Sequence, residues 1–131
     1  NWIITQTERF GPMLDGTIKV VQGRGYEGDG TASFNAFAVI SYAPDTQTYS
    51  MQSWSDGREG RFEMVLTDKG YVWEIPAGPM TIRYEAEITD TTLHEWGVRI
   101  VEGQKPQKFF DMQLTRVGDT DWPAAGVLGP Q

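Results

Sequence analysis

Four polar residues near the start of the chain have the types and spacing to meet a ligand. Gln6 and Glu8 lie in TQTERF, and Gln22 and Arg24 lie in VVQGRGY. They alternate with large apolar residues: Trp2, Ile4 and Phe10 on the first arm, and Ile18, Val20 and Tyr26 on the second. If Gly11–Gly16 is the loop and the arms pair at an index sum of about 28, Gln6 falls opposite Gln22 and Glu8 opposite Val20. Diagonal neighbours then join Gln6 to Arg24 and Glu8 to Gln22. Facing a core, such groups need partners, because an unpaired buried polar group costs roughly 1–3 kcal/mol. An Arg beside a Glu in a low-dielectric cavity could hold a carboxylate or polarise a carbonyl. A slip of one residue would turn the whole set to solvent, so both orientations stay open.

His94 is the only histidine, in His94-Glu95-Trp96. Strand alternation puts His94 and Trp96 on one side and Glu95 on the other. Inward, His94 could act as a general base or a haem axial ligand; outward, it is an ordinary surface residue, the commoner case. With no cysteine and no second histidine at ligand spacing, no metal site is expected. The serines have no partner histidine in any motif, which leaves no nucleophilic triad. Gly23-Arg24-Gly25-Tyr26-Glu27-Gly28 matches G-x-G-x-x-G, but a turn and another strand follow where a dinucleotide site needs a helix. No cofactor is therefore assigned. Glu8, Tyr84 and His94 are the candidates for moving a proton. Trp73, Tyr84, Trp96 and Met112 are candidate pocket lining, with plain core packing as the alternative.

The elements that must position these residues read as strands. MTIRYEAEIT places Met80, Ile82, Tyr84, Ala86 and Ile88 on one side and Thr81, Arg83, Glu85 and Glu87 on the other, the period of a half-buried strand. Phe62, Met64 and Leu66 share a side in RFEMVLT, as do Tyr71, Trp73 and Ile75 in YVWEIP, and Phe110, Met112 and Leu114 in KFFDMQLTRV. About nine such segments follow at near-regular spacing, joined by turns such as Ala43–Thr46, Asp68–Gly70 and Pro76–Pro79. This pattern predicts an all-β, antiparallel, up-and-down barrel of about eight to ten strands over residues 1–117. Closure removes exposed edges, and a barrel of this size holds one small ligand. A sandwich is the other outcome. Residues 118–131 lack periodicity and form a short irregular tail, in which Trp122 could dock over a barrel mouth or a partner subunit.

The segments TQTERF, LDGT, QGRGY, FAVISYAPDTQTY, YVWEIP, LHEWG and KFFDMQLTRV together resemble a bacterial lipocalin-like, or calycin-like, β-barrel family of unassigned function. The likeness spans roughly Thr5–Val117. It implies a barrel with an internal cavity, and it carries no reaction and no catalytic residues. Members usually open with a further strand bearing a Gly-x-Trp motif, which this sequence lacks.

At 131 residues the chain has the length of one domain. A net charge of -7, with scattered Lys and Arg, argues against nucleic acid. No apolar run is long enough for a membrane-spanning helix. The absence of an initiating Met leans toward an exported, processed protein and leaves the cytosol open. Three functions follow. The first is binding of a small, largely apolar or amphipathic molecule whose polar or anionic group meets Arg24 and Gln6. The second is a cofactor-free isomerase or cyclase using the same cavity. The third is a structural barrel with a filled core that dimerises through an open edge or its tail.

Overall fold

A computed structural model describes residues 2–123 and 128–131. Nine strands follow one another: β1 (Thr5–Met13), β2 (Ile18–Tyr26), β3 (Ala32–Ala43), β4 (Thr48–Ser55), β5 (Arg58–Leu66), β6 (Gly70–Ala77), β7 (Met80–Ile88), β8 (Thr92–Val101) and β9 (Gln107–Thr115). Each pairs antiparallel with its sequence neighbour in a single sheet. The sheet curls into a nearly closed up-and-down barrel in which β9 comes back alongside β1. Because every step reverses direction, the first and ninth strands run the same way. Among the described residues no ladder joins them, so a seam remains there.

The first hairpin differs from the arrangement expected of it. β1 continues through Gly11 and Pro12 to Met13, and the turn is Leu14–Thr17. Leu14, Asp15 and Gly16 adopt φ of 51°, 56° and 82°, with Asp and Gly types suited to such left-handed positions. Moving the turn toward the C-terminus changes the register: Gln6 pairs with Gly25, and Glu8 with Gly23. Even positions of β1 therefore share a face with odd positions of β2. Gln22 and Arg24, expected beside Gln6 and Glu8, point to the opposite face with Arg9 and Thr7.

Directly paired residues share a face, which lets the interior be followed around the sheet. The row Tyr49, Met64, Trp73, Tyr84, Gly97 and Phe110 is continuous from β4 to β9. The next row, Tyr71, Ala86, Glu95 and Met112, lies one pleat repeat away on the same face. Met64 and Ala86 are 6% and 3% exposed, which marks this as the inner face. The ladder between β5 and β6 spans only Met64–Leu66 against Tyr71–Trp73. Beyond Trp73 these two strands carry no mutual pairs.

The interior is loosely covered. Among the described residues only Val20, Met64 and Ala86 are buried hydrophobics, and no large side chain is fully buried. The accessible surface is 9849 Å² for a 14.7 kDa chain, where a compact monomer of that mass shows roughly 6,900 Å². Extended termini contribute to the excess. The inner face contributes as well, because Ala36, Ala38, Ser53, Gly60, Trp73 and Tyr84 all remain half-buried.

The tail docks on the outside rather than over a mouth. Trp122 lies under the Arg9 guanidinium, 5.9 Å from its centroid, and a Cβ at Gly11 would overlap the Trp122 carbonyl and the Pro123 ring. Glycine is needed there for the backbones to approach. Val20, paired with Gly11 on that outer face, is 3% exposed. Ala124–Val127 of the tail fall outside the described residues.

Candidate functional site

Glu8 and Glu95 are the two carboxylates that the fold turns inward away from the barrel ends. Glu8 stands on β1 beside Gln6, and both side chains lie across the bare backbone of Gly23: a Cβ placed there would meet Gln6 Nε2 at 2.9 Å and Glu8 Oε1 at 3.3 Å. Glu95 stands on β8 between Ala86 and Met112. The Tyr71 hydroxyl donates a 2.6 Å hydrogen bond to Glu95 Oε2. Among the described residues Glu8 accepts no hydrogen bond from a side chain.

Burial dominates the electrostatics. It pushes the Glu8 carboxyl from its ordinary 4.5 up to about 7, and the nearby charge of Glu95 adds to the rise. Burial also raises Glu95, opposed by the hydrogen bond from Tyr71 and by Trp73. The Tyr71 hydroxyl is raised by burial, then by the charge of Glu95, by the hydrogen bond between them and by Glu8. Tyr84 moves up for the first two reasons, with Arg99 partly opposing. The charge of Glu95 thus helps keep the Glu8 proton in place. Near neutral pH the two groups can bind a cation, donate a hydrogen bond, or exchange a proton.

A row of rings runs beside this pair. Trp73 and Tyr84 stack at 4.4 Å and 13°. Phe62 flanks Trp73 at 5.2 Å, and Phe109 and Phe110 meet Tyr84 edge-on at 6.0 and 5.8 Å. Gly97 makes this possible: a Cβ there would press on the Phe109 and Tyr84 rings at 3.0 Å. The register shift at Gly97/Val98 sets two consecutive phenylalanines against one partner, as a bulge does. Arg99 caps the row, 4.2 Å over the Phe109 ring.

Of the residues singled out from sequence, Gln6, Glu8, Trp73, Tyr84 and Met112 share the inner face. Gln22 and Arg24 do not, for the register reason given above; Arg24 instead lies 5.7 Å from the Tyr26 ring. Trp96, grouped with Trp73 and Tyr84 in the sequence reading, is on the outer face opposite Glu85 and Asp111, because Gly97 is the residue that pairs with Tyr84. His94 accompanies it outside, 4.9 Å from the Trp96 ring and 3.1 Å from Asp111 Oδ2. Asp111 also pairs with Lys108, and these partners lower its carboxyl to about 2, Lys108 most and His94 next. Among the described residues no three His, Cys, Asp or Glu side chains gather as metal ligands.

Glu95 and Phe109 were missed in the sequence. The signal for Glu95 was present in LHEWG: the apolar Leu93 and the small Gly97 share its parity, while the conspicuous His and Trp drew attention to the other face. Nothing local marks Phe109 as inward, since it gets there by the bulge. No family model, curated protein or solved structure matches the chain. The architecture is compatible with a lipocalin-like fold.

Proposed function

We propose that this protein binds a small, largely apolar molecule inside its barrel, with the polar group of that molecule held by Glu8 and Glu95. The observation that carries this reading is Glu8: a carboxylate turned to the ring-lined inner face with no side-chain hydrogen bond of its own among the described residues. Pockets of this kind pair an apolar lining with a few polar groups that fix orientation. With Arg24 on the outer wall, the complementary group on the ligand is a hydrogen-bond donor or a cation rather than an anion. The half-buried state of Trp73, Tyr84 and the small residues opposite argues against a core filled for structure alone.

A plugged barrel tests the reading. Ala38→Phe places a ring on the inner face, where Ala38 pairs with Val21 and Ser53. Thermal shift and calorimetry against a panel of small amphipathic molecules should give hits with the parent protein that the plugged variant loses. No hits, or hits indifferent to the plug, would sink it.

A second reading has its own support. A carboxyl titrating near 7 is poised for proton transfer, so a cofactor-free isomerase or cyclase could use the same cavity with Glu8 as the group that moves the proton and Tyr84 beside the substrate. Turnover by the parent that Glu8→Gln abolishes, with ligand affinity kept, would favour the enzyme over the binder.

A further inference from the structure

We infer that the edge of β5 from Arg58 to Glu63 pairs antiparallel with the same edge of a second copy of this chain, with Gly60 of one copy opposite Gly60 of the other. β5 is laddered to β6 only from Met64 to Leu66. From Arg58 to Glu63 it is bonded to β4 on one side and, among the described residues, has no ladder on the other. Such a row of free N–H and C=O groups is a template for a further strand. The remaining edges of the sheet are less open. β6 carries Pro76 in the part that has left β5, and β1 carries Pro12, neither of which can donate to a ladder. β9 comes back alongside β1. Arg58–Glu63 contains no proline. The interior plays no part in this contact.

The charges along this edge select the partner. Glu59, Arg61 and Glu63 stand on the outer face, and Arg58, Gly60 and Phe62 on the inner. The four charged side chains are exposed, and none joins an ion pair among the described residues. Glu59 Oε2 accepts the Trp54 indole N–H at 3.0 Å, which holds that carboxylate in place. Directly paired residues share a face, so two antiparallel copies must meet with a residue opposite itself at the two-fold axis. Centred on Glu59, the pairing sets Glu59 against Glu59. Centred on Arg61, it sets Arg61 against Arg61 and Glu59 against Glu63. Centred on Phe62, it needs Met64, which is already bonded to Trp73. Centred on Gly60, it joins Glu59 to Arg61 twice on the outer face and sets Arg58 against the Phe62 ring twice on the inner. Opposite charges directly across a ladder favour pairing and like charges oppose it, and a guanidinium over a ring adds attraction. The edge is complementary to itself in that register.

So short a ladder buries less area than a permanent dimer needs, so the association is weak and shows at high concentration. Sedimentation equilibrium of the full chain tests it, from about 10 μM to about 1 mM. Salt of about 150 mM screens the net charge of -7 on each copy beyond about 8 Å. The parent should show a reversible monomer–dimer equilibrium. Glu59→Arg and Arg61→Glu, each folded by circular dichroism, set like charges opposite one another and should each weaken the dimer about tenfold or more. Mixed in equal amounts, the two variants should dimerise with each other to within about threefold of the parent, because each supplies the charge the other needs. The double variant Glu59→Arg/Arg61→Glu should recover in the same way on its own. A parent that stays monomeric throughout overturns the inference and leaves the edge to a different chain. A dimer indifferent to both single reversals belongs to another surface, such as the β1–β9 seam, and overturns it too. So does a failure of both the mixture and the double variant to recover.

Discussion

The two halves of the barrel wall differ in how much ring area they turn inward. From β2 to the start of β5 the inner face mixes small residues, Gly25, Gly23, Ala36, Ala38, Ser53, Ser55 and Gly60, with Val21, Phe34, Ile40 and Met51, and apolar residues also lie outside: Val20, Val39 and the Phe37–Trp54 pair with rings 6.1 Å apart. From the end of β5 to β9 the rings other than Trp96 turn inward and the outside is largely polar: Arg83 and Glu74, Glu85, His94, Asp111 and Lys108. A sheet packed on one side shows one apolar face throughout. Here apolar residues occupy both faces of the first half, while in the second the large rings gather on the inner face. The tail lies against β1, where it covers outer positions Arg9 and Gly11. The groups argued to recognise a ligand come from the two ends of the series, Glu8 from β1 and Glu95 with the rings from the second half.

That contrast can be broken by experiment. The largest effect should come from Glu8. Its carboxyl titrates at about 7 in the folded protein against 4.5 ordinarily, so between those values the folded state holds more protons than the unfolded one. Stability should be highest at the acid end of this window and fall as pH rises through it, by roughly 3 kcal/mol in all, and then level off. Glu8→Gln should remove most of this slope, leaving the part due to Glu95. Urea unfolding from pH 5 to pH 8 measures it; an unchanged slope in the variant would mean that Glu8 is in free contact with water.

Matched substitutions on the two walls should come next. Gly97→Val forces branched carbons into the Tyr84 and Phe109 rings and should cost about 2 kcal/mol by overpacking. Ala38→Val adds two carbons rather than three on the inner face of β3 and should change stability by less than about 1 kcal/mol. Equal costs at the two sites would show that the small-residue wall is packed after all. The smallest effect belongs to the outside of the second half. Arg83 Nε bonds Glu74 Oε2 at 2.8 Å, but both side chains are over 40% exposed, and Arg83→Ala should cost no more than about 0.5 kcal/mol, vanishing in high salt.

The sequence by itself determined the architecture. Period-two patterns such as Met80 to Ile88, broken by Gly, Pro and Asp turns, are local properties of the chain, and nine short strands in series with near-regular spacing close most simply on themselves. Within single strands the same patterns set Trp73 with Tyr71 and Ile75, Met112 with Phe110 and Leu114, and Gln6 with Glu8, because parity within a strand is fixed by the backbone. What the tertiary structure alone decided was how those faces combine. Parity between strands depends on the turn, and shifting the first one from Gly11–Gly16 to Leu14–Thr17 sent Gln22 and Arg24 outward while keeping Glu8 in. Around β8 the choice between His94 and Glu95 rested on which neighbour paired with Tyr84. The apposition of Glu8 with Glu95 and Tyr71 needs the sheet to curl until its first strand meets its last, and no local rule of sequence carries that distance.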